Sequence, residues 1–454
     1  MCMTNDNDRS TASSVTSTSP RVHRRSFLRA SGVGALAITA GCTGGGDGDG
    51  GDGGSDGGST DGQISGPIKI GSMVPLPGEF AGGTAQKQAV ELKAKQLNDD
   101  GGLLGADVEV VTKDTKLDPS TALDRYRELQ LEEEVDVTVG LFGSEPGLRV
   151  AEEVKEHQNV LVLGGVSTTD VEQLIKDDYE GYKYVFRAMN NGVDFGRNLG
   201  RHAQEMWSDW GYEKIGVAVE DIEGWRAQIQ PTAMENLPDS VEVAFTEVFS
   251  SDTKDFSPIL NKGESEDIDF LFSFLAHGGS ALTIQWGQKQ PNYAIGGADV
   301  FSGMPAHYEK TDGAVEYVWT YVPGSGPGFE FNQSTSDFIN ATKEEYGSPP
   351  PHSQAYTMYD AITSWVNAVQ ETGTTNEDDI VEYMEKELAY EATTGFLEYR
   401  EKDHEFPHSP KYGGDGVMSP MIQWQEGDGD GKQVGLWPDR VKSGEYQHPP
   451  WVDS

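Results

Sequence analysis

From Pro67 onward two rhythms alternate along the chain: short apolar runs, and longer stretches with an apolar residue at every third or fourth place. The apolar runs over 68–74, 108–111, 135–139 and 160–163 read as strands buried on both faces. Between them, 84–98 has helical spacing through Ala89, Leu92 and Leu97 and stops at Gly101-Gly102. Asp118-Pro119-Ser120 opens a second helix, with Asp118 as N-cap and Pro119 at the first helical position. A third spans 146–157, and Thr169 is expected to cap a short fourth. The chain crosses out near Val185-Phe186, and the scheme starts again. Strands are expected over 214–219, 241–248, 270–274 and 293–295, and helices over 193–210, 225–235, 256–262 and 281–288. Strands separated by helices of this length require right-handed crossovers, so the pattern predicts an α/β fold with two similar lobes, each built on a parallel sheet. In open sheets of this kind ligands bind beyond the C-terminal ends of the strands.

The tail changes character. A long helix is expected over 353–370, with Tyr356, Tyr359, Ile362, Trp365, Val366 and Val369 on one side, and another over 377–387. Strands at 421–425 and 433–437 flank Gly427-Asp428-Gly429-Asp430-Gly431, a hairpin signal. Asp428 and Asp430 are also candidate calcium ligands, but the loop lacks the ladder of ligands and the closing Glu of a calcium-binding loop.

The first 65 residues have a different composition. Arg24-Arg25-Ser26-Phe27-Leu28 precedes a mildly apolar stretch too short to span a bilayer, which reads as a signal peptide of twin-arginine type over residues 1–42. The stretch ends Thr39-Ala40-Gly41-Cys42, which looks like a lipobox, with Thr39 where Leu is usual. Cys42 is the expected lipidation site, the other reading being ordinary cleavage near Ala40. Residues 43–65 are nearly all Gly, Asp and Ser, a flexible linker that buries no core. The body is therefore expected at the extracytoplasmic face of the cell membrane, exported and held by lipid. The Asp-Gly run at 47–53 has neither the nine-residue period nor the apolar positions of a calcium-binding repeat.

Charge narrows the partners. The 454 residues carry 75 acidic and 34 basic side chains, a formal net charge of −41. Removing residues 1–42, which hold five basic and two acidic residues, leaves −44. A nucleic acid is excluded as main partner. Such a shell repels itself at ordinary salt and is screened at molar salt, where the Debye length is about 3 Å, so very salty surroundings are expected. Only two cysteines occur, both within the first 42 residues, so neither a disulfide framework nor a Cys-rich metal site is expected in the body. No catalytic signature stands out: there is no G-x-S-x-G elbow, phosphate-binding loop or H-E-x-x-H, and the nine histidines show no metal spacing. The expectation is a protein that is not an enzyme and needs no cofactor or metal.

Several stretches resemble one family. Gly66-Pro67-Ile68-Lys69-Ile70-Gly71 with Val74-Pro75-Leu76-Pro77-Gly78 is similar to the opening strand and loop of type I periplasmic binding proteins, in the branch of the branched-chain amino acid ABC importers. Leu97 to Gly105, Lys113-Asp114-Thr115 with Asp118-Pro119, Lys254 to Leu260 and Val434 to Pro438 resemble further segments of that branch in the same order. The resemblance covers residues 66 to about 440. It implies two lobes joined by three crossing strands, placed here near Phe186, near 318–322 and near 396–399. Lobe one is then 66–186 with 322–395, and lobe two 187–318 with 396–454. A small solute, a branched-chain amino acid or a similar polar metabolite, would bind between the lobes and pass to permease subunits. Urea, amides and small organic acids are alternatives, as is a ligand-sensing role.

The resemblance also implies a site. Ser144, beside Glu145, falls where a hydroxyl and backbone meet a ligand carboxylate at a helix start. In the loop Gly165-Val166-Ser167-Thr168, the Val166 carbonyl would take an ammonium and Thr168 would complete the carboxylate clamp, with Ser167 between them. Asp299 would pair with the ammonium from lobe two, and Phe80, Trp225 and Phe274 would wall the pocket. Each has a plainer reading: Ser144 and Thr168 as helix caps, Asp299 as a solvated turn residue, Phe274 as core, Trp225 packed on its own helix. Glu145 puts a negative charge beside the carboxylate position.

Overall fold

The computed structural model describes residues 66–76, 81–276, 278, 280–322, 331–427 and 431–452. The signal peptide, the linker, Cys42, Phe80, Asp428 and Asp430 lie outside the described residues.

The apolar runs become two sheets. The first holds β1 (Ile68–Val74), β2 (Val108–Asp114), β3 (Val137–Phe142), β4 (Leu161–Gly165) and β5 (Val185–Arg187), all parallel, in the order β2-β1-β3-β4-β5. The second holds β6 (Lys214–Glu220), β7 (Glu242–Phe249), β8 (Phe270–Leu275), β9 (Ala294–Asp299) and β10 (Trp319–Tyr321), parallel to one another. A small hairpin pairs β11 (Ala389–Ala392) with β12 (Gly395–Glu398). The late hairpin is present as β13 (Met421–Gln425) and β14 (Lys432–Trp437), which adds two antiparallel strands to the second sheet, giving the order β14-β13-β10-β9-β8-β6-β7. Apart from the outer strands β2 and β7, the strands of the parallel parts are buried along most of their length, as sheets covered by helices on both faces require.

Helices form close to where the spacing placed them, though the third is broken at Glu152-Glu153 into Ser144–Ala151 and Val154–His157. Asp118 accepts from the Thr121 amide at 2.7 Å with Pro119 behind it, the expected cap. Thr169 is the N-cap residue of the helix Asp170–Asp177, as expected, but its side chain makes no cap bond and its hydroxyl is engaged elsewhere. The helix Gln333–Tyr346, capped by Asn332, was not expected from the apolar pattern because only Thr335, Phe338 and Thr342 of its residues are buried. Residues 225–235 are helical as expected, but the first turn, Trp225–Ile229, is π-helical.

Val185–Arg187 pairs with β4 and belongs to the first sheet, and Trp319–Tyr321 belongs to the second, so the chain leaves each sheet beside the first two places named. The third place differs. Leu397, Tyr399 and Val417 all join the first core, and the Tyr399 hydroxyl donates to Ser364 at 2.9 Å. The return to lobe two therefore falls near Met418–Pro420, after an excursion over 400–411, and not near 396–399. Lobe one is thus about 66–187 with 332–417, and lobe two about 190–322 with 419–452.

Candidate functional site

The loops that follow β3, β4, β6, β8 and β9 carry the expected site. After β3, Gly143 has φ +90°, a backbone region open to glycine, and this turns the chain into the helix Ser144–Ala151. Gly143 is the cap residue, so Ser144 is the first helical residue and does not cap. Its hydroxyl lies 3.3 Å from that of Ser167, bringing the β3 and β4 loops together. Glu145 is exposed and turns its charge to solvent.

The β4 loop is held from behind by an arginine. Arg187, 1% exposed, donates to the carbonyls of Val166 and of Thr168, the latter at 2.7 Å. It also pairs with Glu172 at 2.9 and 3.0 Å, and Ser409 donates to the same carboxylate. A guanidinium matches this task because it offers five donors in one plane and never deprotonates. The Val166 carbonyl, expected to take a ligand ammonium, is thus already engaged. The Ser167 carbonyl accepts from the Gly192 amide at 2.7 Å. The Thr168 hydroxyl donates to Asp170 at 2.9 Å and accepts from the Asp170 amide at 3.3 Å, which is its plainer, helix-start reading.

From lobe two the helical turn after β6 reaches across. Gln228 accepts from the Thr169 amide at 3.2 Å and donates to the Thr169 hydroxyl at 2.9 Å. The same turn carries Trp225, 6% exposed, whose indole N–H has no hydrogen-bond partner among the described residues. Its ring lies 6.3 Å from Phe195 and 6.3 Å from Phe274, and Phe195 lies 4.1 Å from Tyr321. Phe274 is fully buried and packs on Phe272, so its core reading holds.

Two acidic residues at strand ends of lobe two hold loop amides within that lobe: Asp299 those of its own loop, Glu220 those of the loop after β8. Glu220, fully buried at the end of β6, accepts from the amides of Ala276 at 2.7 Å and Gly278 at 2.8 Å. Asp299, fully buried at the end of β9, accepts from the amides of Phe301 and Ser302 at 3.0 and 3.2 Å and from the Ser302 hydroxyl at 2.5 Å. It is a turn residue, though not a solvated one. Burial pushes its carboxyl above the ordinary range, opposed by His307 and the Ser302 bonds, and burial pushes His307 down.

The structure therefore brings Ser144, Ser167, Thr168 and the Trp225 turn together, and shows Val166 and Asp299 engaged internally. Sequence reasoning missed Arg187, Glu172, Gln228 and Glu220. The one signal on offer was an arginine ending the apolar run Val185-Phe186, a place where a charge must have a buried partner.

A profile described as periplasmic binding protein matches residues 67–411. Among curated proteins, the chain is 32% identical to the chemotactic signal transduction system substrate-binding protein BasB of Halobacterium salinarum over 128 residues. That match covers 28% of this chain and 30% of BasB, so the chain spans under a third of that relative. It is 21% identical to the leucine-, isoleucine-, valine-, threonine- and alanine-binding protein of Pseudomonas aeruginosa, over 74% of this chain and 86% of that one. The fold matches the Streptococcus pneumoniae branched-chain amino acid transporter substrate-binding protein LivJ, in complex with isoleucine, at a TM-score of 0.67 and 18% identity, over 82% of this chain and all of that one. It matches equally a Rhodopseudomonas palustris ABC transporter solute-binding protein in complex with 3,4-dihydroxybenzoic acid, at a TM-score of 0.66 and 18% identity, over 83% of this chain and 98% of that one. The chain belongs to the periplasmic binding protein family, whose members bind solutes rather than transform them.

Proposed function

We propose that this chain is the extracytoplasmic solute-binding protein of an ABC importer. It captures a small carboxylate-bearing metabolite between the β3 and β4 loops of lobe one and the Trp225 turn of lobe two, and delivers it to permease subunits. One observation carries the reading: Gln228 reaches from the turn after β6 to the Thr169 amide and hydroxyl, so strand-end loops of both lobes meet where Ser144 and Ser167 gather. Hydroxyls and amides at a helix start favour an anionic group there. Trp225, Phe195 and Tyr321 supply an apolar wall for the rest of the solute. Hinge bending about the crossings near residues 188–191, 322 and 418–420 admits and releases it. Export by the twin-arginine signal and a lipid on Cys42 hold the body at the membrane face within reach of the permease, and the acidic shell suits it to molar salt.

Two classes of solute come from the relatives, branched-chain amino acids and aromatic acids. A sensing role is favoured by one comparison, BasB, whose name places it in a chemotactic system. The test is a thermal-shift screen of the mature chain in molar salt against amino acids, amides, urea, and aliphatic and aromatic acids. A ligand present at a hundred times its dissociation constant adds about 2.7 kcal/mol of stability, a rise of several degrees. One chemical class is expected to give that rise. A flat response across the panel, or turnover of the ligand that binds, removes the proposal.

A further inference from the structure

We propose that the cleft selects a carboxylate that carries no ammonium group, and that Arg187 is the positioning residue that sets this selectivity. The inference rests on the solute-binding reading above and adds the class of solute.

An ammonium has three donors and no acceptor, so a closed site must offer it two or three acceptors or leave a buried charge unpaired. On lobe one the acceptors of the β4 loop are engaged one after another. Arg187 takes the Val166 and Thr168 carbonyls, the Gly192 amide takes that of Ser167, and Gln228 takes the Thr169 hydroxyl. On lobe two, Glu220 is held by the amides of Ala276 and Gly278. Asp299 is held by Phe301, Ser302 and the Ser302 hydroxyl. Among the described residues, what stays on offer leans the other way: the Trp225 indole N–H, a pure donor without a partner there, and the Ser144 and Ser167 hydroxyls, which besides accepting can turn a proton toward an anion.

Arg187 decides the lobe-one half of this. Its charge is largely offset by Glu172, with side chains 1% and 2% exposed, so it acts by occupying acceptors and not through net charge. Its position is fixed from outside the loop. The Arg187 amide donates to the His408 carbonyl at 3.1 Å, and Ser409 donates to Glu172, so the excursion over 400–411 clamps the pair that clamps the loop. A lysine at 187 reaches one carbonyl at a time and frees the other.

The experiment is calorimetry on the mature chain in molar salt with two matched pairs: leucine against 4-methylpentanoate, and phenylalanine against 3-phenylpropanoate. Each acid is its amino acid without the amine. At least one acid is expected to bind ten-fold or more tighter than its partner. An amino acid that binds as well as its amine-free partner, or better, overturns the inference and leaves solute binding standing. If no member of any pair, nor any other carboxylate, binds saturably, the solute-binding reading itself falls and this inference with it. In a second arm, Arg187→Lys should lower the acid-to-amino-acid ratio by three-fold or more. Ser409→Ala, a milder change that keeps Arg187, should lower it by about two-fold and stands in if the lysine variant does not fold. Equal weakening of both members of a pair marks a merely structural role and removes Arg187 as the selector.

Discussion

The two lobes repeat one scheme of strand and helix, yet they are filled with different material. Lobe one is packed mainly by small aliphatic side chains, Val, Leu, Ile and Ala, with a single tryptophan, Trp365. Lobe two holds the other eight of the nine tryptophans; Trp207, Trp210, Trp225, Trp319 and Trp437 share one face of its sheet with Phe270, Phe272 and Phe274. Trp319 sits at the centre, within 6.5 Å of the rings of His202, Trp207, Trp210, Phe270 and Phe272. Its indole lies flat over Gly296, where an added Cβ would come within 2.5 Å of it, so the neighbouring strand must carry glycine there. A core of many small side chains divides its free energy among many residues. A core of few large rings concentrates it.

The largest expected effect tests that contrast directly. Trp319→Ala removes a fully buried ring at a site that cannot collapse around it, and should cost ~3–5 kcal/mol. Val139→Ala, equally buried at the centre of the first sheet, should cost roughly 2 kcal/mol. Urea unfolding of the two variants measures both, and equal losses would break the comparison.

The same contrast explains what the sequence revealed. Strands such as 68–74 and 270–274 were legible because both faces are covered, which leaves an unbroken apolar run. The long helix at 353–370 was legible because its buried stripe includes Tyr356, Ile362, Trp365 and Val369. The helix Gln333–Tyr346 was not, since its buried face is mostly threonine. The third crossing was misplaced because the segment around Tyr399 is held by single bonds to Ser364 and to the Arg187 network, which no periodicity records. At the site, residue types pointed to loops that the structure gathers, those after β3, β4 and β6. They could not tell a carboxylate that faces a ligand from one that caps its own turn. Asp299 holds the amides of its own turn, and Glu220 at the end of β6 holds those of the loop after β8, which would otherwise be unpaired.

Acid should separate the lobes. His202 is fully buried in lobe two among Trp210, Trp319 and Trp437, with no partner at either ring nitrogen among the described residues, and burial lowers it to about 3. The unfolded chain takes this proton near pH 6.5 and the folded one does not until about 3, so lobe two loses stability as pH falls through that window. By pH 4.5 the loss is about 3 kcal/mol. In lobe one two groups oppose each other. Burial lowers His352 to about 4, which acts in the same sense. Burial raises Asp360 to about 6 against its bonds from Thr393 and Thr394, so the folded lobe takes that proton first and gains stability as pH falls from about 6 toward 3.8. Tryptophan fluorescence, which reports mainly lobe two, should therefore change at a higher pH than the helical signal of lobe one. His202→Phe should bring the two transitions together. Coincident transitions in the unaltered chain would mean that the lobes do not titrate separately.

The smallest effect belongs to the contact between the lobes. Gln228→Ala removes amide bonds at 2.9 and 3.2 Å to Thr169 without touching either core. A neutral hydrogen bond is worth about 1 kcal/mol, so the unfolding of each lobe should stay within ~0.5 kcal/mol of the parent, because both partners are left near solvent. Binding should change differently. If this bridge forms as the loops meet over a solute, its loss weakens the closed state alone, and release should quicken by about three- to ten-fold with little change in association. Stopped-flow fluorescence can follow this, since Trp225 lies in the same helical turn as Gln228. Unchanged release would place the bridge in both the open and the closed protein, and the difference between the lobes would then lie in their cores and not in how they meet.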